Sequence, residues 1–267
     1  MALTIALVFM VIIAGIETMA YSVRVAAVRT QKLAVSFALF NLLAQVSRLS
    51  LMVIFPLMGS MVDRAIENNT VPLLEGPFRL VIAAITAGSI MGAVLIPFFV
   101  GGFSRLINHF VDVGSVPRLF FRLVEHRRVW LRPRRVEFKN YADFIHPSFK
   151  NLPRNFFIIN IAVVAIYTVG SLASIYAGAL VPQLSVTTSQ LAGAVNGLGA
   201  VLLMIFVDPT MAMITDEAMQ GKRPLRQVQS AVTYLVAGKV IGTVIAQALF
   251  LPTAAWIAYT ARLVASL

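Results

Sequence analysis

Six apolar runs, each near or above the roughly 20 residues a helix needs to cross a hydrocarbon layer, constrain this chain more tightly than any motif in it. They fall at about Ala2–Val28, Leu33–Met58, Phe78–Gly102, Phe156–Val181, Leu191–Val207, and from Val228 past Pro252 to the C-terminus. The expected fold is all-α: a polytopic membrane protein of six transmembrane helices. Charged residues are 12% and hydrophobic residues 59% of the 267 positions, whereas a soluble domain carries about 25% charged residues. Bends are expected at Pro97 and Pro252, because proline removes a helical hydrogen bond.

The connections set the orientation. The first holds Arg24, Arg29 and Lys32 with no acid, and the second sets Asp63, Glu67 and Glu75 against Arg64 and Arg79. Residues 103–154 hold half of the 22 lysines and arginines. The fourth connection is uncharged, and the fifth holds Lys222, Arg223 and Arg226. Basic and non-basic loops alternate, so the positive-inside rule puts loops one, three and five in the cytoplasm and both termini outside. Within the long loop, Arg118–Arg132 mixes aromatic and basic residues at helical spacing. This reads as a helix lying on the inner leaflet against anionic phospholipids rather than as a nucleic-acid contact.

Several functions are excluded. The chain contains no cysteine, hence no disulfide, thiolate metal site or cysteine nucleophile. His109, His126 and His146 are too dispersed for a zinc site. No nucleotide-binding glycine loop and no hydrolase signature is present, so neither a cofactor nor ATP hydrolysis is expected. The N-terminus lacks the basic region and small-residue site of a cleavable signal peptide.

Charge inside the helices is the informative feature. Glu17, Tyr21 and Arg24 stand at i, i+4 and i+7 on one face of the first helix, and Asn41, Gln45 and Arg48 repeat that spacing on the second. Lys239 lies deep in the sixth helix, and Asp208 closes the fifth. A charge at bilayer depth costs about 2.5–3.5 kcal/mol on insertion scales, so such residues face a bundle interior or a wet cavity. Two readings stay open: internal ion pairs that fix packing, including an Asp208–Lys239 pair, or a cationic cavity for an anionic substrate. Glycines at 88, 92, 193, 197 and 199 suit close helix contact, or more weakly a homo-oligomer seam.

The two halves resemble each other. PLMGSMVDRA from Pro56 and PTMAMITDEA from Pro209 share proline, methionine, aspartate and alanine at identical spacing. Asn41 and Asn196 correspond with small gaps, and the third and sixth helices each carry a run ending in proline, Pro97 and Pro252. A three-helix unit would make the repeat inverted across the membrane, an architecture that places binding sites near the midplane. The expected organisation is residues 1–102 as one three-helix unit, 103–155 as a basic cytoplasmic loop, and 156–267 as the second unit. Helix breaks are expected at Pro56 and Pro209.

IETMAYSVR from Ile16, AVRTQKLAVS from Ala27, Phe40–Asn41, Val46–Ser47–Arg48 and PLMGSMVD from Pro56 resemble the Amj family of lipid II flippases, the alternate to MurJ. The resemblance implies a protein of the bacterial cytoplasmic membrane that moves lipid II, the lipid-linked peptidoglycan precursor, from the inner to the outer leaflet without breaking a bond. Lipid II carries a diphosphate, which arginine suits because it stays protonated and forks onto phosphate oxygens. On that reading Arg24 meets the diphosphate at the inner leaflet and Arg48 holds it midway. Glu17 pairs with an arginine when the site is empty, Tyr21, Asn41 and Gln45 share the polar faces, and Lys239 joins from the second half. The alternatives are an integral-membrane undecaprenyl-pyrophosphate phosphatase, whose glutamate pair and P-G-x-S-R-S motif are absent here, and a non-transporting scaffold of the cell-wall machinery.

Overall fold

A computed structural model describes residues 1–113, 144 and 152–266, without the side chains of Arg48 and residues 111–113. The basic stretch Arg118–Arg132 lies outside the described residues. Six spans long and apolar enough to cross a membrane run over Ala2–Thr30, Leu33–Glu67, Val71–Phe110, Arg154–Leu180, Pro182–Met219 and Leu225–Ala265. The first span is two helices, α1 (Ala2–Ala20) and α2 (Ser22–Thr30), and the second is α3 (Leu33–Glu67). The third contains α4 (Glu75–Val113), and the fourth is α5 (Arg154–Leu180). The fifth contains α6 (Ser185–Leu202) and α7 (Asp208–Met219), and the sixth is α8 (Leu225–Ala265).

Breaks occur where the chain's hydrogen bonding changes, and proline alone does not place them. Pro56, Pro97 and Pro252 all sit inside continuous helices, so the expected break at Pro56 is absent. The first span is interrupted at Tyr21, which is not next to a proline. There Tyr21 N–H donates to Thr18 O at 3.3 Å and Arg24 N–H to Tyr21 O at 3.2 Å, three-residue steps that tighten the turn. The Thr18 and Ser22 hydroxyls donate to Ala14 O and Met19 O at 2.7 and 2.6 Å, the back-bonding that bends helices. The fifth span is expected to end at Val207 but runs on to Met219. A π-helical turn at Leu203–Val207 absorbs the extra residue just before Asp208–Pro209.

Glycines bring α1 to α4 and α5 to α8. A Cβ on Gly88 would run into the Val11 carbonyl, and one on Gly92 would stand 2.6 Å from the Gly15 carbonyl oxygen. A Cβ on Gly242 would stand 2.8 Å from the Ile161 carbonyl oxygen, and Gly238 has no room beside Asn160. In lipid, where burying apolar surface gains little, such close backbone approach supplies much of the association energy. Gly193 and Gly197, which the spacing assigns to packing, have nothing within 4 Å of a built Cβ. Gly88→Ala is therefore expected to destabilise the protein by about 1–3 kcal/mol through overpacking, and Gly193→Ala to be neutral, as thermal unfolding in detergent will show.

Among the described residues two large apolar clusters fill the bundle, one toward each end, beside a small third one of Val23, Ala26 and Ile107. One joins Met10 and Ile13 to Ile54, Met58, Phe78, Tyr176 and Phe250, with the Phe78–Phe250 and Tyr176–Phe250 ring centroids 5.8 and 5.1 Å apart. The other joins Val25 and Val28 to Ile96, Phe156, Val207, Met211, Ile214 and Leu235. Between them along the helices comes a polar layer: Thr18 and Ser22 from the first span, Ser89 from α4, Asn160 from α5, and Lys239 and Thr243 from α8, all buried. Asn160 Nδ2 donates to Leu235 O at 2.9 Å and ties α5 to α8 within that layer.

Candidate functional site

Four charged side chains form two ion pairs, one in this layer and one beside it. Arg24 reaches from α2 to Asp208 at the start of α7, with Nη2 3.0 Å from Oδ1. Lys239 reaches from α8 to Glu17 on α1, with Nζ 3.1 Å from Oε2, and lies 3.5 Å from the Ala14 carbonyl oxygen. Each pair joins the first three spans to the last three. Counting in from the ends that carry the basic connections, Glu17 and Lys239 are both about 20 Å along their spans, and Arg24 is about 9 Å in, at 1.5 Å per residue. The two pairs thus stand at two depths.

Burial divides each pair unevenly. The Arg24 side chain is 7% exposed and Asp208 46%; Lys239 is 8% exposed and Glu17 38%. Both cations are sunk in the protein, and both carboxylates stand on the accessible side. A carboxylate facing hydrocarbon is costly, so part-exposed carboxylates at this depth call for polar surroundings. The Arg24 guanidinium also lies 4.9 Å over the Phe40 ring, a cation–π contact that holds its plane, and Tyr21 packs beside Phe40 at 6.3 Å. Arg24 uses one prong on Asp208, while its buried Nε has no hydrogen-bond partner.

The expected pairing is therefore crossed. Among the described side chains Asp208 takes Arg24 and not Lys239, and Glu17 takes Lys239 and not Arg24. The spacing of Glu17, Tyr21 and Arg24 places all three on the bundle side, but the tightened turn at Tyr21 separates Glu17 and Arg24 onto different partners. Asn41 and Gln45 are exposed on α3. The side chain of Arg48 lies outside the described residues. Sequence reasoning missed Asp208 as the partner of Arg24 and Phe40 as its aromatic lid. The available signal went only part way: a carboxylate inside an apolar span needs a cation, but spacing left Arg24, Arg48 and Lys239 all open to Asp208.

Two neighbouring features complete the surroundings. Val35, Ala38, Leu39 and Leu42 of α3 face Leu106, Ile107 and Phe110 of α4 across an apolar cleft. Toward the opposite end, Arg79 bonds Glu75 at 2.7 Å and the Gln247 carbonyl at 2.8 Å, and Gln247 Nε2 returns a 2.9 Å bond to Arg79 O. This clasp satisfies both residues and reads as a joint between α4 and α8. Among the described residues, no cluster of His, Asp and Glu suits a metal ion.

Fold and site together define a multi-pass membrane protein built around an interior layer of buried, carboxylate-held cations. The chain belongs to the Amj family, Alternate to MurJ, whose family model matches residues 9–261. It is 34% identical over 257 residues to the lipid II flippase Amj of Bacillus subtilis (strain 168), which covers 95% of this chain and 94% of that protein. No solved structure matches it.

Proposed function

We propose that this protein moves lipid II from the inner to the outer leaflet of a bacterial cytoplasmic membrane, acting as a transporter and not as an enzyme. The observation that carries the reading is Arg24: a buried guanidinium inside a membrane span, with an unused Nε donor and a part-exposed carboxylate as its partner. A diphosphate offers more acceptor oxygens than the single one Arg24 now holds, and a fork-shaped donor matches them. Lys239 is the deeper cation on the same path. Arg48 belongs to the proposal on its spacing with Asn41 and Gln45. The identity to a named lipid II flippase supports the substrate.

The same reading takes the halves as inverted repeats. Burial supports it: Ile54, Met58, Val62 and Ala65 are buried at the spacing of Val207, Met211, Thr215 and Ala218. The first set packs in one apolar cluster and Val207, Met211 and Ala218 in the other, at opposite ends of the bundle. The third span of each half also uses two glycines four residues apart to approach the first.

Cells that rely on this protein alone are expected to expose lipid II on the outer leaflet, and to lose that exposure on its depletion. Phosphate release from undecaprenyl pyrophosphate by the purified protein, without lipid II movement in vesicles, would overturn the reading in favour of a phosphatase. Orientation is tested separately in the cysteine-free chain. A cysteine replacing exposed Gln183 is expected to react with an impermeant thiol reagent on intact cells, and one replacing exposed Lys222 only after lysis. The reverse pattern would put both termini in the cytoplasm.

A further inference from the structure

We propose that Asp208 and Glu17 are built-in competitors for the substrate's diphosphate, occupying Arg24 and Lys239 when the site is empty and setting how readily the lipid is let go. The proposal rests on the reading of the two cations as the diphosphate site, and it assigns the carboxylates a part in release that packing alone does not require.

Three features carry it. The first is the burial asymmetry: in both pairs the cation is sunk, at 7 and 8% exposure, and the carboxylate lies outward, at 46 and 38%. An anion reaching either cation from the carboxylate's exposed side meets the carboxylate first. The second is the incomplete use of Arg24. A pair selected for packing strength would engage the fork, whereas here Asp208 takes one prong and the buried Nε stays unpartnered. The carboxylate is a weaker occupant than the site can hold. The third is where the carboxylates go. Because each is already part-exposed, displacement does not strand it in a dry interior, where an unpaired charge is prohibitive.

A diphosphate that displaces the carboxylate at either depth exchanges one ion pair for another, so neither cation is left bare. Release is the reverse exchange: each carboxylate swings back onto its cation as the phosphate leaves. Without these anions the empty site would hold two uncompensated buried cations, and a bound dianion would have no replacement to expel it. Asp208 is well placed to move, since it begins α7 directly after the π-helical turn at Leu203–Val207. Such turns are lengths of helix under strain, found often at functional positions.

The test uses the full chain in lipid nanodiscs, with geranyl diphosphate as a soluble probe read by calorimetry, and lipid II transport in vesicles at saturating lipid. Asp208→Asn and Glu17→Gln keep the side-chain shapes and remove the charges. Each is expected to tighten probe binding at least tenfold while lowering the maximal transport rate by a comparable factor. Asp208→Glu, which keeps the charge, is expected to return binding toward the native value. A purely structural role predicts lower stability and activity with no gain in affinity, and unchanged or weaker probe binding in both neutral variants overturns the proposal. Arg24→Met distinguishes the two levels of the argument. If it abolishes probe binding while the carboxylate variants gain nothing, the competition falls and the site stands. If it binds the probe like the native protein, the site falls and the competition with it. The two pairs are separate, so a folding defect in one neutral variant leaves the other to decide.

Discussion

Arg24→Ala is expected to abolish lipid II transport, lowering the rate by roughly 100-fold or more, while the protein remains inserted. Charge-assisted hydrogen bonds are worth about 1.5–3 kcal/mol each, and a forked contact to a phosphate supplies two. The structural cost is smaller than the functional one, because the group left behind is Asp208, whose side chain is 46% exposed. Arg24→Lys is expected to restore part of the rate: the ammonium keeps the charge but has no fork and no planar face to lay on Phe40. Transport in vesicles, normalised to folded protein, is the measurement. A loss of activity that only tracks a loss of thermal stability would make Arg24 a packing residue.

The second large effect is on stability, and it is directional. Glu17→Ala leaves the Lys239 ammonium, 8% exposed, without its carboxylate. Removing one partner of a buried pair costs about 3–5 kcal/mol, on the order of 10 °C in unfolding temperature for a chain of this size. Lys239→Met removes the buried charge and leaves Glu17 at 38% exposure, so its cost is expected to be clearly lower. The double variant is expected to recover most of the stability lost by Glu17→Ala alone, because no buried charge remains. Thermal unfolding of the three variants in detergent measures the order. Equal losses for the two single variants would mean that the pair is open to water on both sides.

Together the two expectations separate what each pair contributes. The deeper Glu17–Lys239 pair fastens α1 to α8 across the halves, so its loss shows first in stability. The Arg24–Asp208 pair, with an unused donor and an aromatic lid, shows first in transport.

Much of this was legible in the residues themselves. Six spans follow from run length, because helix rise and hydrocarbon thickness are fixed quantities. That Arg24 and Lys239 are buried in the bundle follows from the cost of charge in lipid, which holds whatever the neighbours are. The family resemblance lay in the stretch from Ile16 to Asp63, and the match across residues 9–261 extends it over the chain. Periodicity places residues on a face but does not say which helix that face meets. Glu17 and Arg24 share a stripe by spacing, yet one meets α8 and the other α7, on either side of the tightened turn at Tyr21. Asp208 and Lys239 look like natural partners within the second half, yet each crosses to the first, because which side chain lies opposite a charge is decided by how the two halves pack and not by spacing along one helix. Whether Gly88 or Gly193 is the packing glycine is equally invisible in spacing. It depends on what lies opposite, and only the assembled bundle puts a carbonyl against one and open space against the other.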